Sequence, residues 1–280
     1  AQNDDFVQYQ LDNGLTVYLW EDHDQPDVQG WTVTRAGSID EPADATGLAH
    51  YLEHMLFKGT DRIGALDWAK EKPLYEQIIA LYDTLALTTD DQAREAVQLR
   101  INEVSREAAQ YAATDEFSNL IQGIGGEGLN AFTSYDVTCY MNSFPSYQME
   151  RWLTLYADRL TNPVFRSFQA ELENVFEEYN MYLDDNSTHV RNFIFGKLYE
   201  GHAYARDIIG YPEDLKNPKL RKLIDFYNTW YVPNNMALIL VGDFEIETTK
   251  PLIEKTFGKL QSRPLPERTK YPTTAFTQDE

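Results

Sequence analysis

Apolar and polar residues alternate from Phe6 to Leu11 and again from Leu15 to Trp20, with Asp12-Asn13-Gly14 between them. A period of two marks strands that bury one face. Asn-Gly between two such runs predicts a hairpin, with positive φ at both central residues of a type I′ turn. Trp31-Thr32-Val33-Thr34 predicts a further strand, closed by Gly37-Ser38. After the loop Glu41-Pro42-Ala43-Asp44, Thr46 is placed to cap a helix over about 47–57.

From Leu74 the period lengthens. Leu74, Ile78, Leu81 and Leu85 step by 4, 3 and 4, and Val97, Ile101, Val104, Ala108 and Tyr111 step by 4, 3, 4 and 3. Thr89-Asp90-Asp91-Gln92 between them fits a capping box. Two amphipathic helices joined by a short polar turn make a helical hairpin whose apolar stripes pack on each other. A glycine-rich stretch at 123–128 precedes Leu129-Asn130-Ala131-Phe132-Thr133; strand patterns recur at 137–141 and 236–241, and helical ones at 147–160, 167–183 and 220–230. Arg263-Pro264-Leu265-Pro266 through Pro272-Thr273-Thr274 has linker composition. Strands interspersed with helices, hairpins included, predict an α+β fold around a mostly antiparallel sheet: one domain over 1–260, then a linker over 261–280 leading to a further domain or tail. No internal repeat or low-complexity segment is present.

Composition narrows the partners. Against 24 Lys+Arg stand 45 Asp+Glu, a net charge of −21 in 280 residues, which disfavours phosphate backbones and anionic lipid and suits cations. With 42% hydrophobic residues the chain can fill a core. A single cysteine, Cys139, excludes a disulfide framework and a Cys-rich zinc module. No run approaches the roughly 18 to 20 apolar residues of a membrane helix. Ala1-Gln2-Asn3 resembles a start left behind an A-x-A cleavage site, so the expectation is a periplasmic or otherwise exported protein.

The informative stretch is His50-Tyr51-Leu52-Glu53-His54. On a helix, His50 and His54 project from one face one turn apart, close enough to share one tetrahedral Zn²⁺ at roughly 2.0–2.1 Å. Glu53 lies beside them without needing to be a ligand, and can take the proton of a water that the metal acidifies. A catalytic zinc usually has three protein ligands, so a third must come from elsewhere. The acidic run Glu171-Leu172-Glu173-Asn174-Val175-Phe176-Glu177-Glu178 is available. Glu171 and Glu178 share a helical face, but spacing leaves Glu173 and Glu177 equally open. His23, His189 and His202 lack ligand spacing and read as surface or loop histidines, Cys139 as a small buried hydrophobe, and Asn186-Ser187-Thr188 as a sequon by pattern alone.

Taken together, these pieces resemble the N-terminal catalytic domain of the pitrilysin/insulinase (M16) family of zinc peptidases, which includes the mitochondrial processing peptidases and carries the inverted H-x-x-E-H signature. The likeness runs through Leu11-Asp12-Asn13-Gly14-Leu15, Gly37-Ser38 with Glu41, Gly47 to Thr60, Leu129 to Ser134, Glu171 to Glu178, and Tyr231 to Phe244. It implies the fold of that family, with helices packed on one face of the sheet, and one Zn²⁺ held by His50, His54 and Glu178. It also implies Glu53 as general base, Glu171 as the carboxylate supporting the ligands, and Asn130 and Ala131 on an edge strand that takes a peptide as an added strand. In this family several related domains close a chamber, and distal ones supply an Arg and a Tyr. The resemblance therefore implies an endopeptidase acting on peptides or unfolded segments, dependent on further M16-type domains in a longer chain or a partner subunit.

One departure stands out. From His54 to Glu178 is 178 − 54 = 124 residues, longer than in many relatives. The excess coincides with the helical hairpin, read as an insertion over about 66–115 on the rim of the site. Two other functions remain open: a catalytically weak substrate-binding or scaffold subunit of the family, and a lyase with Cys139 as third ligand, as in S-ribosylhomocysteine lyases.

Overall fold

The computed structural model describes residues 6–215 and 219–271. Six strands form one sheet: β1 (Phe6–Gln10), β2 (Thr16–Glu21), β3 (Asp27–Thr34), β4 (Glu127–Thr133), β5 (Thr138–Pro145) and β6 (Met236–Gly242), in the order β1-β2-β6-β3-β5-β4. Every pairing is antiparallel except β2 with β6. The helices among the described residues are α1 (Leu48–Met55), α2 (Trp68–Leu87), α3 (Asp91–Ala108), α4 (Glu116–Gly123), α5 (Met149–Arg159), α6 (Phe168–Leu183), α7 (Asn186–Leu198), α8 (Pro212–Leu215), α9 (Leu220–Trp230) and α10 (Ile246–Thr256). This is the expected α+β architecture.

The period-two runs bury one face of the sheet under helices. Val17, Leu19, Val28, Tyr140, Phe144, Leu238 and Leu240 are all buried there, while Trp20 on the opposite face is largely exposed. Trp152 of α5 forms the centre of this packing. Its ring stacks on Phe144 and Tyr156, with centroids 4.7 and 4.0 Å away, and its Nε1–H donates to Asn142 Oδ1 at 2.8 Å. Gly30 leaves room for that ring. A Cβ at this position would lie 2.3 Å from Trp152 Cζ2.

Local details differ from the sequence reading where long-range contacts decide them. In the β1–β2 turn only Gly14 has positive φ (+88°), so the turn is not type I′. Asn13 instead ties the turn to the far end of the chain, donating to the carbonyls of Phe257 and Leu260. Asp90, not Thr89, caps α3 by accepting from the Ala93 amide, and α2 begins six residues before Leu74. Helix α7 carries no apolar period of its own, and α4 and α10, although amphipathic, lie outside the helices the sequence predicts. Residues 261–271 form no helix or strand, yet Arg268 pins them by donating to both carboxylate oxygens of Asp40; residues 272–280 of the expected linker lie outside the described residues.

Replacing Gly30 with Ala forces Trp152 out of its stack. The expected loss is about 1–3 kcal/mol of folding stability, typical of core overpacking and measurable by chemical denaturation.

Candidate metal centre

Helix α1 buries Leu48, Ala49, Tyr51, Leu52 and Met55 against the sheet and neighbouring helices, which turns His50 and His54 to the cavity. Its start is set by backbone geometry rather than by Thr46. Gly47 holds φ +78°, and a Cβ there would meet the Ile209 carbonyl oxygen at 2.3 Å. Thr46 turns away to donate to Asp214. The free amides of the first turn are taken by Glu41, whose Oε2 accepts from Gly47 N at 3.0 Å and Oε1 from Ala49 N at 2.8 Å. Burial pushes the Glu41 carboxyl up to about 8, against the pull of those two amides and of Arg206. A carboxylate six residues upstream thus does the work expected of an adjacent cap.

Helix α6 brings the carboxylates across. Tyr51 of α1 anchors it, its hydroxyl donating to the Phe168 carbonyl and its ring lying 4.9 Å from the Phe168 ring. Nearly three turns on, Glu178 Oε2 lies 3.7 Å from His50 Nε2 and 3.5 Å from His54 Nε2, and the two imidazole nitrogens are 3.3 Å apart. Tetrahedral ligands at 2.0–2.1 Å from a zinc ion stand about 3.3–3.4 Å apart, so the three atoms fit that ion with shifts of a few tenths of an ångström. Among the described residues this is the one group of three or more His, Cys, Asp or Glu side chains that could hold a metal. Glu173 and Glu177, which spacing left open, are exposed and outside it.

The surroundings prepare these groups. His54 Nδ1 lies 2.9 Å from Glu171 Oε1, an orientation that leaves Nε2 for the metal. Glu171 Oε2 in turn pairs with Lys58 Nζ at 2.5 Å. Burial works against the Glu171 anion, yet His54 and Lys58 bring its carboxyl down to about 2. For His54, burial disfavours the imidazolium, but Glu171, Glu53 and Glu178 outweigh it and raise its pKa. His50 behaves oppositely: burial, helped by His54, pushes it down to about 4 and keeps it neutral, the form a metal ligand requires. Its Nδ1 is buried without a hydrogen-bond partner. Tyr182 holds the third carboxylate, donating to Glu178 Oε1 at 3.1 Å.

Glu53 faces the same cavity, 7% exposed, and accepts a 2.5 Å hydrogen bond from Thr133 Oγ1 at its Oε2. Burial raises its pKa, opposed by that hydrogen bond and by His54. Behind it lies Arg159, fully buried, its guanidinium 4.1 to 4.6 Å from the ring centroids of Tyr140, Phe57 and Phe117 and its Nε donating to the Leu56 carbonyl. The cavity, about 680 Å³, is walled on one side by Leu129 to Thr133 of β4, Asn130 and Ala131 included. Among the described residues β4 is the last strand of the sheet, pairing with β5 along one edge and with no strand along the other.

The cavity corrects two readings of the sequence. No residue of α2 or α3 lines it. The hairpin packs instead behind α6, where Tyr82 meets Phe168 edge to face with centroids 4.9 Å apart and donates to Gln169, and a buried Arg166–Glu71 pair at 2.5 Å fastens α2. It backs the third-ligand helix rather than the rim. Cys139 lies outside the donor group, buried with its thiol pushed up to about 12, which removes the basis for a Cys-liganded lyase. Sequence reasoning gave no role to Thr133, Lys58, Tyr182 or Arg159. Thr133 and Lys58 stand inside the stretches that carry the family likeness, but the others have no local signal.

The model of the insulinase family (peptidase family M16) matches residues 16–71 and 91–211, more than half of the chain. The chain belongs to the M16 family. A second M16 model, described as the family's inactive domain, matches residues 219–280. Among M16 relatives, the probable zinc protease PqqL of Escherichia coli is 25% identical over 98% of this chain, and the zinc protease PqqE of Helicobacter pylori is 23% identical over 81%. The crystal structure of the periplasmic protease PqqL from E. coli superposes with a TM-score of 0.74 at 22% identity, covering 98% of this chain and 26% of that one. That of a protease from H. pylori gives 0.73 at 21% identity, covering 95% and 54%. The chain spans a quarter of PqqL and about two-fifths of PqqE. The M16 match skips residues 72–90, most of which lie in α2.

Glu178→Gln is expected to weaken zinc binding by at least about tenfold, and Glu171→Gln by about 10–100-fold through loosened His54. Glu177→Gln should leave it unchanged. Competition with a chromophoric chelator measures all three.

Proposed function

We propose that this chain is the metal-holding catalytic domain of a zinc metalloendopeptidase that hydrolyses peptides or unfolded segments. The observation that carries the reading is the meeting of His50, His54 and Glu178 at ligand spacing, with Glu53 beside them and a free strand edge alongside. One Zn²⁺ fits the three donors. When bound, zinc supplies Lewis acidity, lowering the pKa of water and polarising a carbonyl. Glu53 takes the proton of the attacking water and returns it to the leaving amine. Burial raises the proton affinity of its carboxylate, which favours the first of these transfers. Glu171 fixes the ring of His54, and Lys58 fixes Glu171. The β4 edge at Asn130 and Ala131 pairs with the backbone of an extended peptide, so register comes from main-chain hydrogen bonds and preference from the cavity walls.

The relatives named zinc proteases support this reading, and their greater length supports a role for further M16-type domains, in the same polypeptide or in a partner. On that basis the domain over 1–260 binds zinc and cleaves weakly alone. The residues skipped by the family match support an insertion within 66–115. A periplasmic relative supports export, and no helix among the described residues is long and apolar enough to cross a membrane. A complete donor set favours an active enzyme over a scaffold.

Glu53→Gln decides the matter in the longest natural form of the protein. Zinc content should stay at one ion per chain while peptide turnover falls by about 10²-fold or more. Turnover equal to wild type removes the mechanism, and a wild-type protein that retains no zinc removes the reading.

A further inference from the structure

We propose that Thr133 is a positioning residue that links occupation of the β4 edge to the orientation of Glu53; the inference rests on the peptidase reading above. Thr133 is the last residue of β4, two and three positions beyond Ala131 and Asn130. Its backbone is registered against Thr138 of β5, and its Oγ1 donates to Glu53 Oε2 at 2.5 Å. A carboxylate at the end of a glutamate chain rotates freely unless an oxygen is held. Holding Oε2 leaves Oε1 to meet the water's proton.

Threonine suits this task. Its branched β-carbon restricts χ1, so the hydroxyl direction follows the strand backbone instead of its own torsion. The strand is anchored by β5 on one side only. An extended peptide added to the free side completes the ladder and immobilises the backbone that carries the hydroxyl. Glu53 is then held most firmly when substrate is in place. The wrong state, a base turned from the water, is confined to the empty site.

Thr133→Val removes the hydroxyl while keeping the branched shape, and Thr133→Ser keeps the hydroxyl. In the zinc-loaded longest natural form, T133V should lower kcat about 10–100-fold with KM and zinc content near wild type, and T133S should recover most of kcat. A crystal structure of zinc-loaded T133V should show the Glu53 carboxylate rotated from its wild-type direction. A T133V kcat equal to wild type, a T133S loss as deep as that of T133V, or an unmoved Glu53 overturns the inference. If wild type cleaves no peptide, the peptidase reading falls and takes the inference with it. If wild type cleaves and T133V matches it, only the inference falls.

Discussion

Two neutral imidazoles on one helical turn make a weak trap for a divalent cation until an anionic oxygen is fixed beside them. In this protein the oxygen placed beside them is Glu178 Oε2, 124 residues along the chain from His54 and 3.5 Å from its Nε2. The spacing between α1 and α6 is therefore the constraint to which the rest of the structure answers. Tyr51 sets it at the start of α6, Glu171 bridges it at His54, and the helical hairpin presses on α6 from behind through Tyr82. Each contact is modest; together they determine a distance.

The electrostatics follow the same plan. The chain is strongly acidic overall, but the cavity mixes its signs. Lys58 neutralises Glu171, so the second carboxylate near the metal position does not compete with Glu178 for the ion. Arg159 is the costly element. Its guanidinium, with no carboxylate ion pair among the described residues, survives burial because rings of Phe57, Phe117 and Tyr140 face it and the Leu56 carbonyl takes its Nε–H. It gives the region beneath Glu53 a fixed positive charge that no exposed side chain could supply as steadily.

Much of this was legible in the chain itself, and what was not has identifiable causes. Alternation at Phe6–Leu11 and Leu15–Trp20 and the apolar run at 236–241 pointed to strands because side chains on a strand face opposite sides in turn, and the five residues from His50 to His54 pointed to a helix with both imidazoles on one face because helical spacing is local. Glu178 could be selected over Glu177 and Glu173 only through family likeness, since all three look alike to a spacing argument. The α1 cap was misplaced at Thr46 because Glu41 reaches back across a loop, and the Asn13-Gly14 turn took another form because Asn13 bonds to Phe257 and Leu260. The hairpin was recognised as a hairpin, yet its location could not be, because a helical period says which face is apolar and nothing about what covers it. Helix α7 lacks a periodic stripe, which hid it altogether.

A strand edge left open does not distinguish one extended backbone from another, so β4 offers the same ladder to a second copy of itself. The register shift between Glu127 and Asn130, with Gly128 at φ +62°, interrupts that ladder and leaves regular pairing only from Asn130 to Thr133. Four residues at roughly 3.3 Å each make about 13 Å of template, and the exposed Glu127 adds like-charge repulsion between copies. So short a stretch offers a growing sheet little template, and the irregularity at its start shortens that template further.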